Sequence, residues 1–477
     1  MNSVFWRELI LQFNYFILFY VLCVNTIYFI QLILSSFSLY DYVKKMSYSG
    51  YRKYTESENM IPISVLVPAY NEQETIVDNI KSLLSLNYPL FEIIVINDGS
   101  SDETTPRIIE AFHLKKVYQP IRTLITTKEV NSVYKSLDIP HLVLVDKANG
   151  GKADALNTGI NISRYPVFTS IDADSILESD SLVRVIMPFI EDKLTVAVGG
   201  IVRIANGSII KNGKIESVAL PKNHLAMFQI VEYLRAFLSG RMGWDSMNAL
   251  LIISGAFGAF RKDIAVRLGG YLPSTIGEDM ELIVRIHHIL KKSKQKYRIK
   301  FIPDPVCWTQ APEKLKDLRS QRIRWQIGLM DSLFRHKPVL FNPRYGLIGL
   351  LATPYFWLFE MLGPIVEIIG YLFIPLSFVL GLLNVKYFFL FLASSILYGI
   401  LLSIGAILLE EYTFNKYPSA KQIAKLTLYG IVENLGYRQI TSLFRLEGIL
   451  RYHKSKHTWG KIERQNFNTS NHPLKDK

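Results

Sequence analysis

The sequence predicts an α/β protein in which one domain holds a mixed, mostly parallel sheet and α-helices cross a membrane. Short apolar runs that fit buried strands alternate with amphipathic stretches, an order typical of parallel strands joined by helices. Uncharged runs of membrane length lie on either side of this region. Acidic clusters follow the predicted strands, at the edge where open α/β sheets bind ligands.

Composition narrows the class of protein. The chain has 477 residues, of which 49% are apolar, enough for one large domain and a membrane part. The formal net charge is +13, and its Lys and Arg residues are spread out, which fits a membrane surface or an anionic substrate. We therefore expect membrane lipid as a partner and no nucleic acid. Cys23 and Cys307 are the two cysteines, which excludes a disulfide framework.

The N-terminal segment, residues 1–44, is predicted to be a transmembrane helix with its flank. Residues 13–37 carry no charge and are longer than the apolar core of a signal peptide, so we expect a retained helix. A cleaved signal is the alternative. Residues 45–60 are polar and form a predicted linker at the membrane surface. Basic residues after the helix, such as Lys44 and Lys45, place the next domain in the cytoplasm.

Residues 61–340 are predicted to form the cytoplasmic sheet domain. Ile76, Ile80 and Leu83 recur on one face of a helix, and a further helix is predicted to begin near Lys152. The first two apolar runs are separated by the length of a βαβ unit. The predicted strands are 63–67, 91–96, 141–145, 167–171 and 196–202.

Residues 341–444 are predicted to be membrane or interfacial helices, and residues 445–477 a basic cytoplasmic tail. The predicted helices are about 345–363, 364–383, 387–409 and 423–444. Because both the sheet domain and the tail prefer the cytoplasm, an even number of spans must separate them. The first and last of these helices therefore either both cross or both do not. We expect a multi-pass protein of the cell membrane, with Glu360, Glu367, Glu433 and Arg438 facing a bundle interior or a polar channel.

Asp172 and Asp174 form an Asp-x-Asp pattern directly after a predicted buried strand. Carboxylate oxygens are the ligands that hard divalent cations prefer. Mg²⁺, or Mn²⁺ in its place, commonly bridges such a pair to phosphate and offsets charge on a departing diphosphate. The pattern predicts a metal site that also binds substrate through Asp172. A solvated turn is the alternative.

Two other strand ends offer groups for a nucleoside and a diphosphate. Asp98 lies in an Asn-Asp-Gly turn and is predicted to accept a hydrogen bond from a base or ribose; an ordinary turn is the alternative. Ala69, Tyr70 and Glu72 follow the first predicted strand and are assigned to the same substrate. Lys152 follows two glycines at a helix start and would add positive charge toward a diphosphate. The alternative is an ordinary helix-start loop with a lysine at the surface.

Glu278 and Asp279 open a helical run, where acidic residues are common because of the helix dipole. In the functional interpretation one of these carboxylates is the general base that takes a proton from an acceptor hydroxyl, and we favour Asp279. Gly255 and Phe257 lie in a run of small residues with one aromatic. That run predicts either the floor of an acceptor site or a close-packed turn.

Gln321, Arg324 and Trp325 recur at helical spacing and share one face of a helix. Arginine can bind a diphosphate with two parallel hydrogen bonds, and tryptophan can stack on a sugar ring. A purely solvated basic face would not usually include a tryptophan.

Together these motifs resemble membrane-embedded, inverting, processive glycosyltransferases of family 2, which include hyaluronan, chitin, cellulose and poly-N-acetylglucosamine synthases. The resemblance covers about residues 60–335 and implies a GT-A-type, Rossmann-like catalytic domain. It implies that Asp98 contacts uridine, that Asp172 and Asp174 hold the metal, and that Asp279 is the base. The Gln-x-x-Arg-Trp motif matches Gln321, Arg324 and Trp325. Gly277 departs from the Thr-Glu-Asp of many members, which bears on acceptor fit.

The resemblance implies an enzyme that extends a β-linked polysaccharide from a UDP-sugar and couples synthesis to export. UDP-N-acetylglucosamine is the favoured donor, because the run from Gly150 to Asn157 is typical of the chitin and poly-N-acetylglucosamine branch. One alternative is a single-addition enzyme with a lipid acceptor. Another is a non-catalytic membrane protein that binds a nucleotide sugar.

Overall fold

The computed structural model describes residues 2–49, 60–211, 214–383, 385–417 and 419–453, which divide into two compact units. The sheet unit consists of residues 42–49, 60–222 and Leu250–Pro312. The helical unit consists of residues 2–41, Asn223–Ala249 and 313–453. Most of the predicted linker and most of the predicted basic tail lie outside the described residues.

The strands belong to the sheet unit. In chain order they are β1 Ile63–Ala69, β2 Phe91–Asp98, β3 Leu114–Val117, β4 Val130–Ser136, β5 Leu142–Lys147, β6 Val167–Ile171, β7 Ile176–Leu177, β8 Thr195–Ile204, β9 Ile209–Lys211, β10 Lys214–Ser217, β11 Phe257–Arg261 and β12 Arg298–Thr309. The five strands predicted from apolar runs correspond to β1, β2, β5, β6 and β8. These predictions are confirmed.

The helices are distributed over both units. In chain order they are α1 Asn2–Ser49, α2 Ile76–Leu84, α3 Thr104–Ala111, α4 Lys152–Ile162, α5 Ser181–Glu191, α6 His224–Tyr233, α7 Arg241–Ser246, α8 Lys262–Arg267, α9 Glu278–Lys292, α10 Leu315–Arg335, α11 Thr353–Tyr355, α12 Gly363–Val379, α13 Val385–Leu392, α14 Tyr398–Thr413, α15 Ala420–Val432 and α16 Tyr437–Arg451. π-Helical turns occupy Leu234–Gly240, Ile348–Ala352, Phe356–Met361 and Ala393–Leu397.

Within the described residues, ten strands form one mixed sheet in the order β3-β4-β5-β2-β1-β6-β11-β8-β12-β7. Parallel pairs join β1 to β2 and β6, β2 to β5, and β8 to β12. Relative to β1, only β4, β7 and β11 of these strands run in the opposite direction. The central strands are buried almost throughout, which is why continuous apolar runs encode them. The predicted mixed, mostly parallel sheet is confirmed.

The parallel pairing brings several strand ends to one edge of the sheet. Ala69 at the end of β1 pairs with Asn97, and Asp98 at the end of β2 pairs with Lys147. Helix α4 packs closely on this part of the sheet. A Cβ added at Gly159 of this helix would lie 3.0 Å from Cδ1 of Ile96 in β2. The polar loops that follow these strands therefore start from fixed positions.

Two helices of the described chain are long and apolar enough to cross a membrane: Arg7–Met46 and Val385–Thr413. The helices Ile348–Met361 and Gly363–Val379 meet at a bend of 43°. If these two helices together form one span, the described chain has three candidate spans. A proline in the first turn after the break explains the bend, since it lacks an N–H for the preceding turn.

The C-terminal segment, predicted at about 423–444, forms two helices in the structure. The chain breaks at Gly436, whose φ of 144° is accessible to glycine and strained for other residues. The two resulting helices, α15 and α16, have 13 and 15 residues, below the about 20 that a span needs. Helix α16 also continues past the predicted start of the tail at residue 445.

Charged side chains of the helical unit are paired with one another. Arg445 donates to Oε2 of Glu360 at 3.1 Å. Glu433, which is fully buried, binds both Arg235 and Arg438. Such pairing is required because an unpaired charge in a low-dielectric interior is strongly destabilising.

Candidate active site

The end of β2 and the loop after β5 are joined by a buried ion triad, Asp98, Lys147 and Asp154, here called the closed triad. Nζ of Lys147 lies 2.7 Å from Oδ1 of Asp98 and 2.7 Å from Oδ1 of Asp154. The Asp98 carboxylate also accepts from the backbone N–H groups of Gly150 and Gly151, at 3.0 and 2.7 Å. The triad thereby fixes the backbone directly before helix α4.

The glycines of this loop are explained by the close approach of its neighbours. A Cβ at Gly150 would lie 2.5 Å from Oδ1 of Asp154, and one at Gly99 would lie 2.9 Å from the backbone nitrogen of Asn149. Gly151 has a φ of +86°, in the left-handed region that favours glycine. The Gly-Gly sequence is therefore needed to build the loop, whatever it binds.

Asp98 was predicted to contact a nucleoside, and the structure gives it internal partners. Its side chain is 5% exposed, and three donors within the protein already bind its carboxylate. The contact with a nucleoside stays a prediction. In this structure the Asp98 carboxylate holds the backbone of Gly150 and Gly151 in position.

The end of β1 presents one of its three predicted residues to solvent. Tyr70 is exposed, whereas Ala69 and Glu72 are buried. The Glu72 carboxylate accepts a hydrogen bond from Oγ1 of Thr75 at 2.9 Å. The backbone N–H of Glu72 donates to Oγ1 of Thr104, also at 2.9 Å. Both side chains face the interior in this structure, and the predicted substrate contacts of Ala69 and Glu72 stay predictions.

A second lysine, Lys152, forms an ion cluster with Asp172 and Glu278, here called the open triad. Its Nζ lies 2.6 Å from Oδ1 of Asp172 and 3.3 Å from Oε1 of Glu278, and it donates to the carbonyl of Gly255 at 3.4 Å. Lys152 is 16% exposed and Asp172 is 32% exposed. The structure thus brings together four residues that the sequence predicted from separate motifs.

Burial and charge act against each other in the open triad. Burial alone would lower the pKa of the Lys152 ammonium, but Asp172 and Glu278 outweigh it and raise that pKa well above its usual value. Burial raises the pKa of Glu278, against the lowering effect of Lys152. Lys152 is therefore a permanent cation at neutral pH.

Asp279 lies next to the open triad, in the first turn of α9, and is less buried than Glu278. Its Oδ2 accepts from the N–H of Gly255 at 2.9 Å, and its Oδ1 accepts from the N–H of Met280 at 2.8 Å. A Cβ at Gly255 would lie 3.0 Å from Nζ of Lys152 and 3.4 Å from Oδ2 of Asp279. The absence of a side chain at Gly255 thus leaves room for both the Lys152 ammonium and the Asp279 carboxylate.

Phe257 was predicted to contact substrate, and that contact stays a prediction. Its side chain is fully buried in β11, between β6 and β8. A Cβ at Gly200 would lie 2.4 Å from Cδ1 of Phe257, so the ring fills the space above a glycine of β8. Phe257 belongs to the core of the sheet unit.

The Gln-x-x-Arg-Trp residues lie on α10, in the helical unit; they are Gln321, Arg324 and Trp325. The Trp325 ring is 39% exposed and packs against Tyr233 and Phe237. The buried guanidinium of Arg322 lies 4.5 Å from the centre of the Trp325 ring. The participation of these residues in one site with the acids of the sheet unit stays a prediction.

The Asp172 and Asp174 carboxylates were predicted to hold a metal ion. Among the described residues, no three His, Cys, Asp or Glu side chains are grouped so that they could hold a metal by themselves. Mg²⁺ needs only one or two carboxylates when water and substrate phosphates supply the other ligands. The two acids, with Asp172 open to solvent, fit a cation shared with a phosphate.

Lys147 and Asp154 are the residues of this region that sequence reasoning did not single out. The feature that could have identified Lys147 is its position opposite an acid on the adjacent strand, because opposite charges at such positions can form an ion pair. Asp98 and Lys147 are such a pair in the β2–β5 register. The register is not readable from one sequence, so the signal became visible only in the structure.

Comparison with known sequences decides the family. The model of Glycosyl transferase family 2 matches residues 64–265, and that of Glycosyl transferase family group 2 matches residues 167–408, just over half of the chain. The chain belongs to glycosyltransferase family 2. The predictions of a family 2 glycosyltransferase and of a GT-A-type catalytic domain with apolar helices are thereby confirmed.

This family 2 glycosyltransferase is similar to poly-beta-1,6-N-acetyl-D-glucosamine synthases. It is 32% identical to one from Staphylococcus epidermidis over 281 residues, which are 59% of this chain and 58% of that protein. It is 31% identical to one from Staphylococcus aureus (strain COL) over 328 residues, 68% of this chain and 67% of that protein. A mannosyltransferase from Pyrobaculum calidifontis, solved with GDP-Man and Mn²⁺, matches at a TM-score of 0.48 and 18% identity, over 86% of this chain and 99% of its own. At that TM-score the likeness supports no conclusion about this chain.

Proposed function

We propose that this glycosyltransferase uses a UDP-sugar, with UDP-N-acetylglucosamine favoured, to extend a β-linked polysaccharide with inversion at the anomeric carbon. The observation that carries the proposal is the ammonium of Lys152, which links Asp172 to Glu278 beside Asp279. Acids from the ends of different elements thus gather at one place, as transfer from a diphosphate requires. The names of the relatives support the choice of sugar.

In the proposed reaction Asp279 takes the proton of the acceptor hydroxyl. The acceptor oxygen forms a bond to the anomeric carbon while the bond from that carbon to the diphosphate oxygen breaks, and the diphosphate leaves with the electron pair. One displacement from the opposite face converts an α-linked donor into a β-linked product. The hydrogen bond from Gly255 orients the Asp279 carboxylate for this role.

The remaining proposed roles concern the donor. A divalent cation bound by Asp172 and Asp174 would neutralise charge on the diphosphate. Lys152 would bind the same diphosphate, and the exposed ring of Tyr70 would contact the nucleoside. Arg324, Gln321 and Trp325 would bind diphosphate and acceptor, as the family motif implies.

We further propose a multi-pass arrangement in the cell membrane, with the sheet unit in the cytoplasm. The proposed spans are Arg7–Met46, the bent pair Ile348–Met361 and Gly363–Val379, and Val385–Thr413. With these three spans, the basic segments after α1 and from residue 445 onward lie on the same side, as the positive-inside rule requires. An even number of spans then follows the sheet unit, and export of the product becomes compatible with synthesis at the inner face.

The test is transfer by membranes that contain the full chain, supplied with a panel of radiolabelled UDP-sugars and Mg²⁺, followed by sizing of the product. We expect a polymer from UDP-N-acetylglucosamine. Transfer of a single sugar to lipid would replace it with the single-addition alternative. Binding of UDP-sugars with neither hydrolysis nor transfer would favour the non-catalytic alternative.

The base is tested by Asp279→Asn, which should lower turnover on the order of 10³-fold while UDP binding is kept, because the amide cannot accept the proton. Asp263→Asn is the matched control, since Asp263 pairs with Arg261 at the surface of the same unit. Full turnover in Asp279→Asn would remove Asp279 from this role.

A further inference from the structure

The Lys152 ammonium and the proposed divalent cation require the same carboxylate. Lys152 binds Oδ1 of Asp172 at 2.6 Å, a short, charge-assisted hydrogen bond. Asp172 is also the first acid of the proposed metal pair. A monovalent and a divalent cation repel each other strongly at the separation that one carboxylate imposes. Lys152 occupies Oδ1 of Asp172, and a divalent cation on the same carboxylate would be repelled by the ammonium, so each weakens the binding of the other.

We propose that Lys152 is an internal counterion that competes with the divalent cation for Asp172, so that the cation binds tightly only together with a diphosphate. The inference rests on the proposed function for the identity of that diphosphate. In this arrangement Lys152 is a positioning residue that sets the order of binding. Metal alone binds weakly because the lysine is already there, and the diphosphate draws the ammonium toward its own oxygens.

The surrounding contacts allow the lysine side chain to move while its backbone stays in place. The closed triad fixes the N–H groups of Gly150 and Gly151, directly before Lys152. Beyond Cβ the lysine has a flexible stem, whose ammonium donates over a long 3.4 Å to the Gly255 carbonyl. Exchange of Asp172 for a phosphate oxygen therefore needs only rotations about side-chain bonds.

The charges at the site favour such an exchange. Asp172, Glu278 and Asp279 all act on the Lys152 ammonium, so acidic groups outnumber the one cation. Glu278, whose Oε1 lies 3.3 Å from the ammonium in this structure, is a second carboxylate that would keep the ammonium near the site when a divalent cation neutralises Asp172. Lys152 is then placed to bind the diphosphate beside the metal. Metal and nucleotide should accordingly strengthen each other's binding, and by thermodynamic linkage to the same extent.

The experiment is a titration of the full-length, detergent-solubilised chain with Mn²⁺, in which the loss of the free Mn²⁺ signal in electron paramagnetic resonance reports binding. Without nucleotide, Lys152→Met should bind Mn²⁺ on the order of tenfold more tightly than the wild type, because the competing cation is gone. Lys152→Arg, which keeps the charge, should remain close to the wild type. Lys115→Met removes an exposed lysine of β3 and should change nothing.

The same titration with UDP, corrected for the Mn²⁺ that UDP binds in the absence of protein, measures the coupling. In the wild type UDP should tighten Mn²⁺ binding, and in Lys152→Met the factor by which it does so should shrink. If Lys152→Met does not tighten Mn²⁺ binding without nucleotide while UDP still tightens it in the wild type, the competition is overturned and the proposed function stands. If Mn²⁺ fails to bind the wild type and all variants even with UDP, the metal part of the proposed function fails as well. Thermal unfolding of each variant confirms that it is folded.

Discussion

The closed and open triads each contain one lysine and two carboxylates, and they differ in their access to solvent. Lys147 is fully buried, and its partners Asp98 and Asp154 are 5% and 7% exposed. In the open triad, Asp172 is 32% exposed. In the closed triad Asp98 also accepts from two backbone N–H groups, so its buried lysine between two carboxylates is a fixed part of the scaffold. With one carboxylate open to water, the same arrangement can exchange partners with a ligand.

The largest expected difference between the triads is in stability. Lys147→Met should lower the free energy of unfolding by about 3–5 kcal/mol, because it leaves two buried carboxylates without their cation. Lys152→Met should lower it by less, about 1–2 kcal/mol, since water can solvate Asp172 and the buried Glu278 can take up a proton. Chemical unfolding of the detergent-solubilised chain measures both. Equal losses would break the distinction between a sealed and an exchangeable triad.

Asp98→Asn tests the closed triad from its acidic side. The amide nitrogen would face a donor, so we expect a loss of about 1–3 kcal/mol in the free energy of unfolding. In the protein that remains folded, the affinity for UDP should change little. A large loss of UDP affinity with unchanged stability would instead show that Asp98 contacts the nucleoside.

Glu278→Gln tests the open triad and should reduce turnover about tenfold, because Lys152 loses a charged partner. It should also change the dependence of stability on pH. Burial raises the pKa of Glu278, so the folded protein binds this proton more strongly than the unfolded chain does. That stabilisation is complete below the ordinary value of 4.5 and is lost as the pH rises through the raised pKa.

The measurement is the unfolding free energy of wild type and Glu278→Gln at a series of pH values. Relative to the glutamine variant, the wild type should lose stability as the pH rises above 4.5. The same slope in both proteins would contradict the burial of an ionisable Glu278.

Gly255→Ala should have the smallest effect. Its Cβ would lie 3.0 Å from Nζ of Lys152, the far end of a flexible side chain that can shift. We expect turnover to fall about threefold through the displaced lysine and Asp279, with stability nearly unchanged. Gly240→Ala is the control, because the one atom near its Cβ is a carbonyl oxygen at 3.6 Å. A similar decrease in both variants would mean that the space at Gly255 is unimportant.

The sequence alone predicted those parts of the fold that local patterns encode. β1, β2 and β6 are continuous apolar runs, because both faces of a central strand are covered. Asp172, Glu278 and Asp279 were predicted because the end of such a strand and the start of an amphipathic helix are visible in the periodicity. The acids of the open triad were therefore identified before their contacts were known.

What the sequence did not predict depends on long-range contacts. The burial of Lys147 follows from the β2–β5 register, and that of Phe257 follows from the insertion of β11 between β6 and β8. The edge strand β3 and its neighbour β4 were missed because polar residues interrupt their apolar residues. Residues 223–249, predicted to lie within the catalytic domain, pack instead with the helical unit. The functional limits of that domain, 61–340, stay a prediction.

The short connection between Lys147 and Lys152 limits which insertions and deletions the protein can tolerate. Asp98 holds both glycine N–H groups of the connection, so an added residue has no slack to enter. One inserted residue would turn the first turn of α4 by about 100° and carry the Lys152 side chain away from Asp172. Insertions and deletions here should therefore be selected against, whereas the exposed loop around Tyr118 can vary in length.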